Sequence, residues 1–103
     1  MEKVPSFENA FSTLKLGEKI DEEELIRAIR FFIAAEYEAI QMYTQIAEAT
    51  DNALAKEVLM DIAREEVVHA GEFLRLLREL SPDEWKLYEE GFKEVEEMIE
   101  KFK

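Results

Sequence analysis

Residues 29–43 read Ile-Arg-Phe-Phe-Ile-Ala-Ala-Glu-Tyr-Glu-Ala-Ile-Gln-Met-Tyr, and their apolar positions recur every three or four residues. That period predicts an amphipathic α-helix. The part from Phe31 to Ala35 is apolar on nearly all sides, which predicts a helix buried all round. Because a two-helix hairpin cannot enclose such a helix, we expect the chain to associate with further copies of itself.

The same periodicity predicts three helices, over about 21–49, 52–80 and 82–102. Asp21 is a candidate N-cap for the first helix. The link between the first two helices is short, so they should form an antiparallel hairpin. Ser81 and Glu84 have the spacing of a capping box at the start of the third helix. The predicted fold class is therefore all-α, an antiparallel two-helix hairpin plus a short third helix.

The third helix carries an apolar stripe, which predicts a docking face against the hairpin or another subunit. Its members are Trp85, Tyr88, Phe92, Val95, Met98, Ile99 and Phe102. We divide the chain into an N-terminal segment, residues 1–20, and a helical domain, residues 21–103. The segment is expected to be irregular or to carry one short helix between Pro5 and Gly17. Its apolar residues, which could pack onto a neighbour, are Phe7, Phe11, Leu14 and Leu16.

Composition excludes several classes of function. The chain of 103 residues has no cysteine, so it has neither disulfides nor thiolate metal sites. Its net charge of -12 would repel phosphate backbones and makes nucleic acid an unexpected partner. We expect no membrane association, because no apolar run approaches the ~20 residues of a transmembrane helix. We also find no secretory signal and expect a cytoplasmic protein.

Three polar residues interrupt the apolar stripes of the first two helices. Glu36 lies on the first helix, and Glu66 and His69 lie on the second. Residues three apart share a helix face, so Glu66 and His69 can hold one ion. Glu36 and Glu66 are equally distant from Asp51 in the turn, so an antiparallel hairpin brings them level. These residues are half of the ligand set of a di-iron carboxylate bundle.

A second copy of the chain would supply the other half of such a site. Two copies give four carboxylates, enough to neutralise two divalent ions, and two imidazoles. This donor set suits iron, manganese or zinc. The alternative is a surface ion pair between His69 and neighbouring glutamates. Tyr43, seven residues after Glu36 and on the same face, could hydrogen-bond a ligand carboxylate or donate an electron, or could be a plain core tyrosine.

Residues 28–80 resemble the ferritin-like and rubrerythrin superfamily. The residues that carry the resemblance are Ala35-Glu36-Tyr37-Glu38-Ala39 with Tyr43, and Arg64-Glu65-Glu66-Val67-Val68-His69. Because only half of the usual ligand set is present, the chain most resembles the encapsulated ferritins, the cargo proteins of encapsulin nanocompartments. That resemblance implies a ferritin-like four-helix bundle formed by dimerisation, with Glu36, Glu66, His69 and Tyr43 as catalytic residues. Met42 and Ala35 depart from the family's usual tryptophan and acidic residue.

The resemblance also implies a function, a ferroxidase that oxidises Fe(II) to Fe(III) at a di-iron site between two subunits. Glu66 would bridge the two ions, Glu36 and His69 would each bind one, and Glu38 would be a possible iron-uptake site. The implied partners are copies of the chain, in dimers and a larger ring such as a decamer, and an encapsulin shell that encloses it. The alternatives are a non-redox metal-binding helical oligomer and a rubrerythrin-like peroxide reductase.

Overall fold

The computed structural model describes residues 17–103 and contains three helices. They are α1 (Glu22–Ala49), α2 (Ala53–Leu80) and α3 (Pro82–Lys101). The described residues form no strand, so the all-α class and the three-helix order are confirmed. The expectations for Pro5, Phe7, Phe11, Leu14 and Leu16 lie outside the described residues.

Local side-chain caps explain where the hairpin helices begin. The Asp21 carboxylate accepts a hydrogen bond from the Glu24 backbone N–H at 2.8 Å, and the Glu24 side chain accepts one from the Asp21 N–H. This capping box confirms Asp21 as the N-cap of α1. The Asn52 side chain accepts a hydrogen bond from the Ala55 N–H at 2.9 Å and starts α2.

The hairpin is held together by apolar side chains near its open end. Ile29, Ile33 and Leu77 are buried there. The partly buried residues around them are Leu25, Ile26, Phe73, Leu74 and Leu80. The first half of α1 therefore packs on the last half of α2, which makes the two helices antiparallel. The other buried residues are alanines, whose small side chains let the helix backbones approach closely.

The capping box expected at the start of α3 is wrong. Ser81 is the N-cap residue, but its side chain caps no backbone N–H. Its hydroxyl instead donates a hydrogen bond to the Glu84 carboxylate at 3.0 Å. Glu84 is turned toward α1, where it meets Arg30, so it is not available to reach back to the Ser81 backbone.

Arg30 and Glu84 fix α3 against the hairpin. The guanidinium donates two hydrogen bonds to the carboxylate, at 2.6 and 3.1 Å, and Tyr88 donates a further one. Trp85 packs edge-on against Tyr88 and Phe92. A bidentate pair of this kind sets orientation as well as energy. The role of Arg30 could not be predicted from the sequence, since no local pattern relates residues 54 positions apart.

Beyond this clamp, α3 leaves the hairpin. Residues 89–103 are all exposed, and α3 buries no residue. The docking face predicted on α3 is therefore not covered by the hairpin of the same chain.

The clamp predicts a specific pH dependence of stability. Hydrogen bonds from Arg30, Tyr88 and Ser81 outweigh burial and lower the pKa of Glu84 to about 2 from 4.5. A lowered folded-state pKa stabilises the fold above pH 4.5, and this contribution disappears as the pH falls toward about 2. Arg30 is half exposed, so screening reduces the contribution to roughly 1–2 kcal/mol.

We therefore expect Glu84→Gln to lower the free energy of unfolding at pH 7 by that amount and to leave it nearly unchanged at pH 2. Denaturant titrations followed by circular dichroism at several pH values measure the difference between variant and wild type. Glu89→Gln, an exposed α3 glutamate, is the control. If the difference in the free energy of unfolding between wild type and Glu84→Gln does not change with pH, the ionised Glu84 carboxylate is not the source of this stability.

Candidate metal centre

The hairpin brings Glu36, Glu66 and His69 together. The His69 Nδ1 lies 3.7 Å from the Glu66 carboxylate and 4.0 Å from the Glu36 carboxylate. One ligand atom from each side chain lies within 4.8 Å of the others. Among residues 17–103, no other cluster of histidine and acidic side chains has this geometry.

Helix geometry accounts for this convergence. Glu66 and His69 are one turn apart on α2, so their side chains leave the same face. The antiparallel pairing of two helices of 28 residues each places Glu36 of α1 opposite that turn. The register follows from the packing of Ile29 and Ile33 against the last turns of α2.

The three side chains differ in exposure. The Glu36 and Glu66 side chains are 18% and 20% exposed, whereas His69 is 50% exposed. The sequence had suggested that all three lie in one core. In the single chain, His69 instead lies at the edge of the hairpin, because it is about 60° around the helix from Glu66.

Glu36 has a buried atom without a partner. Its Oε2 is buried and accepts no hydrogen bond, and the nearby imidazole nitrogen is too distant to donate one. Burying a carboxylate oxygen without compensation is costly. A cation among the three side chains would remove that cost.

The separations also fit a metal ion. Oxygen and nitrogen ligands lie about 2.0–2.2 Å from a transition metal such as zinc, so two ligands of one ion are at most about 4.4 Å apart. The distances from His69 to both carboxylates fall within this limit. Carboxylate with imidazole is a donor set for iron, manganese or zinc. These residues therefore fit the iron that the resemblance implies.

An exposed apolar surface lies on the same side of the hairpin as His69. From α1 it contains Met42 and Ile46, which are 54% and 58% exposed. From α2 it contains Val58 and Leu76, 46% and 42% exposed. On their helices, all four project to the side of the hairpin on which His69 lies. We call this surface the site face. Arg30 projects from the opposite side of α1, so the Arg30–Glu84 clamp lies away from it.

Tyr43 and Glu38 are not part of the three-residue cluster. Tyr43 is half-buried on the Glu36 face of α1, about 10.5 Å further along the axis. Its hydroxyl forms no hydrogen bond with any residue of 17–103. Glu38 is exposed, as expected for a residue about 200° around the helix from Glu36. No helix among the described residues has the length and apolar character needed to span a membrane.

Comparison with known proteins gives consistent results. Residues 23–103 match the family described as Rubrerythrin. The chain is 41% identical over 76 residues to a ferritin-like–encapsulin shell fusion protein of Pyrococcus furiosus. It is 40% identical over 76 residues to the encapsulin nanocompartment cargo protein EncC of Myxococcus xanthus. Both alignments cover 74% of the chain, but only 22% and 58% of these relatives.

The fold matches a solved structure. It is similar to the crystal structure of the encapsulated ferritin domain from Pyrococcus furiosus, with a TM-score of 0.77 and 37% sequence identity. The match covers 82% of this chain and 86% of that one. Together with the family match over residues 23–103, it establishes that this chain belongs to the rubrerythrin family of ferritin-like proteins.

Proposed function

We propose that the chain is a ferroxidase, whose di-iron site is shared between two copies that meet through their site faces. The observation that carries the proposal is the buried, unpartnered oxygen of Glu36 beside Glu66 and His69. One chain offers two carboxylates and one imidazole at this level, too few for two ions. A second copy related by a two-fold axis would double this set.

The site face supports sharing of the site. Its apolar side chains Met42, Ile46, Val58 and Leu76 are at least 42% exposed, and His69 is exposed on the same side. An isologous two-fold contact places the same surface of each copy against the other. Contact there would bury the apolar residues and enclose His69. Four carboxylates around two divalent ions would leave no net charge to bury.

Each side chain would have a distinct task. Iron supplies the electrons: two Fe(II) become Fe(III) while O2 is reduced to peroxide, or peroxide to water. Glu66 would contact both ions, and Glu36 and His69 would each hold one. His69 would bind the ion through a ring nitrogen of its neutral imidazole. Tyr43, on the same face of α1, is proposed to orient a ligand carboxylate or to donate an electron.

The relatives suggest where the oxidised iron goes. One is named as a fusion to an encapsulin shell and the other as an encapsulin cargo protein. We propose that this chain forms dimers and a larger ring, and that it acts inside an encapsulin compartment. An open ring has no closed cavity, so a surrounding shell would hold the ferric product.

The ligand residues are tested by aerobic oxidation of Fe(II), followed as ferric absorbance. We expect Glu36→Ala, Glu66→Ala and His69→Ala each to slow oxidation by at least about 10–100-fold, the loss seen when even the partners of metal ligands are removed. Glu65→Ala, which removes an exposed carboxylate next to Glu66, is the matched control and should oxidise iron normally.

A second readout separates metal binding from turnover. Anaerobic calorimetry with Fe(II) should show tight binding to wild type and to Glu65→Ala, and weak binding to the ligand variants. Tight binding without oxidation by O2 or peroxide would favour the non-redox oligomer. Oxidation by peroxide alone would favour the peroxide reductase. Unchanged binding and rates in all three ligand variants would rule out the site.

Glu38 is proposed to attract iron on its way to the site. Several exposed copies in an assembly of negatively charged chains would concentrate Fe(II). We expect Glu38→Ala to slow oxidation several-fold at low Fe(II) while the number of tightly bound ions stays the same. Glu48→Ala, another exposed acid of α1, is the control. Loss of a bound ion in Glu38→Ala would make Glu38 a ligand and contradict this role.

A further inference from the structure

α2 has a second exposed face, on the side of the hairpin opposite the site face. Its members follow one another at separations of four, three and four residues and so form one line along the helix. They are Met60, Arg64, Val67 and Gly71, all of them exposed. Val67 and Gly71 are each two residues from His69 and therefore project to the opposite side of α2. We call this surface the back face.

The part of α3 beyond the Arg30–Glu84 clamp has an exposed face with the same spacing. Its members are also separated by four, three and four residues and line one side of the helix. They are Gly91, Val95, Met98 and Phe102, and the last three are 52%, 55% and 90% exposed. Because residues 89–103 are all exposed, the hairpin of the same chain does not cover this surface, which we call the arm face.

Each of the two faces contains a glycine inside a helix, where glycine is less stable than alanine. The single chain gives no steric reason for either one. A Cβ atom at Gly71 or Gly91 would meet no side chain or other element of residues 17–103 within 4 Å, and neither glycine has a positive φ. The distance between two packed helices depends on the side chains at their contact, so a glycine allows the closest approach. A second helix lying against each glycine would explain both.

The charges of the arm and the hairpin show which surface the arm fits. Residues 89–103 contain six acidic side chains and three lysines, so the arm is negative. The hairpin has six basic residues, and on their helices all six project away from the site face. They are Arg27, Arg30, Lys56, Arg64, Arg75 and Arg78. The site face instead adjoins Glu36 and Glu66. The site face and a second arm would therefore both repel the arm, whereas the back face attracts it.

The arginines of the back side are available for new partners. Arg64 pairs with Asp61 at 3.3 Å and Arg75 with Glu79 at 3.2 Å, in both cases within α2. Both pairs are largely exposed, and exposed pairs of this kind contribute little to stability. Acidic side chains of an arm could replace them at little cost.

The arm is long enough to cross a helix of another copy. Residues 89–101 form about 18 Å of helix, whereas a helix with its side chains is about 10–12 Å wide. Because α3 runs without a break from the clamp to Lys101, the arm cannot fold back onto α2 of its own chain. The back face that it contacts must then belong to a second copy.

We propose that α3 of one copy crosses the back face of a second copy, with Gly91 against Gly71. The acidic side chains of the arm then lie close to Arg64 and Arg75 of that copy. The contact uses neither the site face nor a metal ion, and it does not rest on the proposed ferroxidase activity. A chain with two different contact surfaces can build assemblies larger than a dimer.

The absence of cysteine makes the contact testable by disulfide trapping. Unlabelled full-length Gly71→Cys is mixed with ¹⁵N-labelled Gly91→Cys in EDTA and oxidised in a glutathione buffer, and linked species are measured by mass. A disulfide needs Cα atoms about 4.4–6.8 Å apart, a distance that two helices crossing at glycines provide. The control replaces Gly91→Cys with Glu97→Cys, because Glu97 is exposed and lies about 200° around α3 from Val95. Circular dichroism verifies that all three variants are helical.

We expect the Gly71→Cys and Gly91→Cys chains to link at least about tenfold faster than the control pair, because facing thiols have a much higher effective concentration. Equal rates for the two pairs would show that the arm does not lie on the back face. Links formed mainly between two labelled Gly91→Cys chains would show that a second arm is the partner. Either result overturns the proposal, and neither bears on iron oxidation, since EDTA is present throughout.

Discussion

The metal centre and the proposed assembly both depend on one constraint, the free-energy cost of burying a carboxylate oxygen of Glu36 without a hydrogen-bond partner. The Oε2 of Glu36 is enclosed by the hairpin and receives no hydrogen bond. Glu66 and His69 stand beside it without satisfying it. Uncompensated buried charge is among the most destabilising features that a fold can contain. A cation among the three side chains would remove this cost, and an ion held by two carboxylates and one imidazole from one chain would have room for further ligands.

The packing of the helices positions Glu36, Glu66 and His69. Apolar packing of Ile29, Ile33 and Leu77 sets the register that brings the ligand side chains level. The Arg30–Glu84 pair joins the start of α3 to the side of the hairpin opposite the site face. The apolar residues that adjoin His69 then provide an association surface for a second copy, and the copy that covers them would also complete the ligand set. Assembly and metal binding would thus be one coupled equilibrium, in which metal bound only by the dimer stabilises the dimer.

Much of the fold could be predicted because its determinants are local. The N-cap Asp21 and the short turn that ends at Asn52 mark where the hairpin helices begin, so the predicted bounds of both helices agree with the structure to within a residue. The start of α3 at Pro82 was predicted correctly, but its capping box was wrong because Glu84 binds Arg30, a residue 54 positions away that no local pattern relates to it. The exposure of His69 was also missed. Periodicity shows which residues share a helix face, but it does not show which flank of that face a partner helix covers.

We propose that the metal centre belongs to a pair of chains. The decisive experiment is native mass spectrometry during anaerobic titration with Fe(II), at concentrations where monomer and dimer coexist. A shared centre predicts two ions on each pair of chains, no tightly bound pair of ions on monomers, and a shift from monomer to dimer as metal is added. Monomers that hold two ions as tightly as dimers do would contradict it.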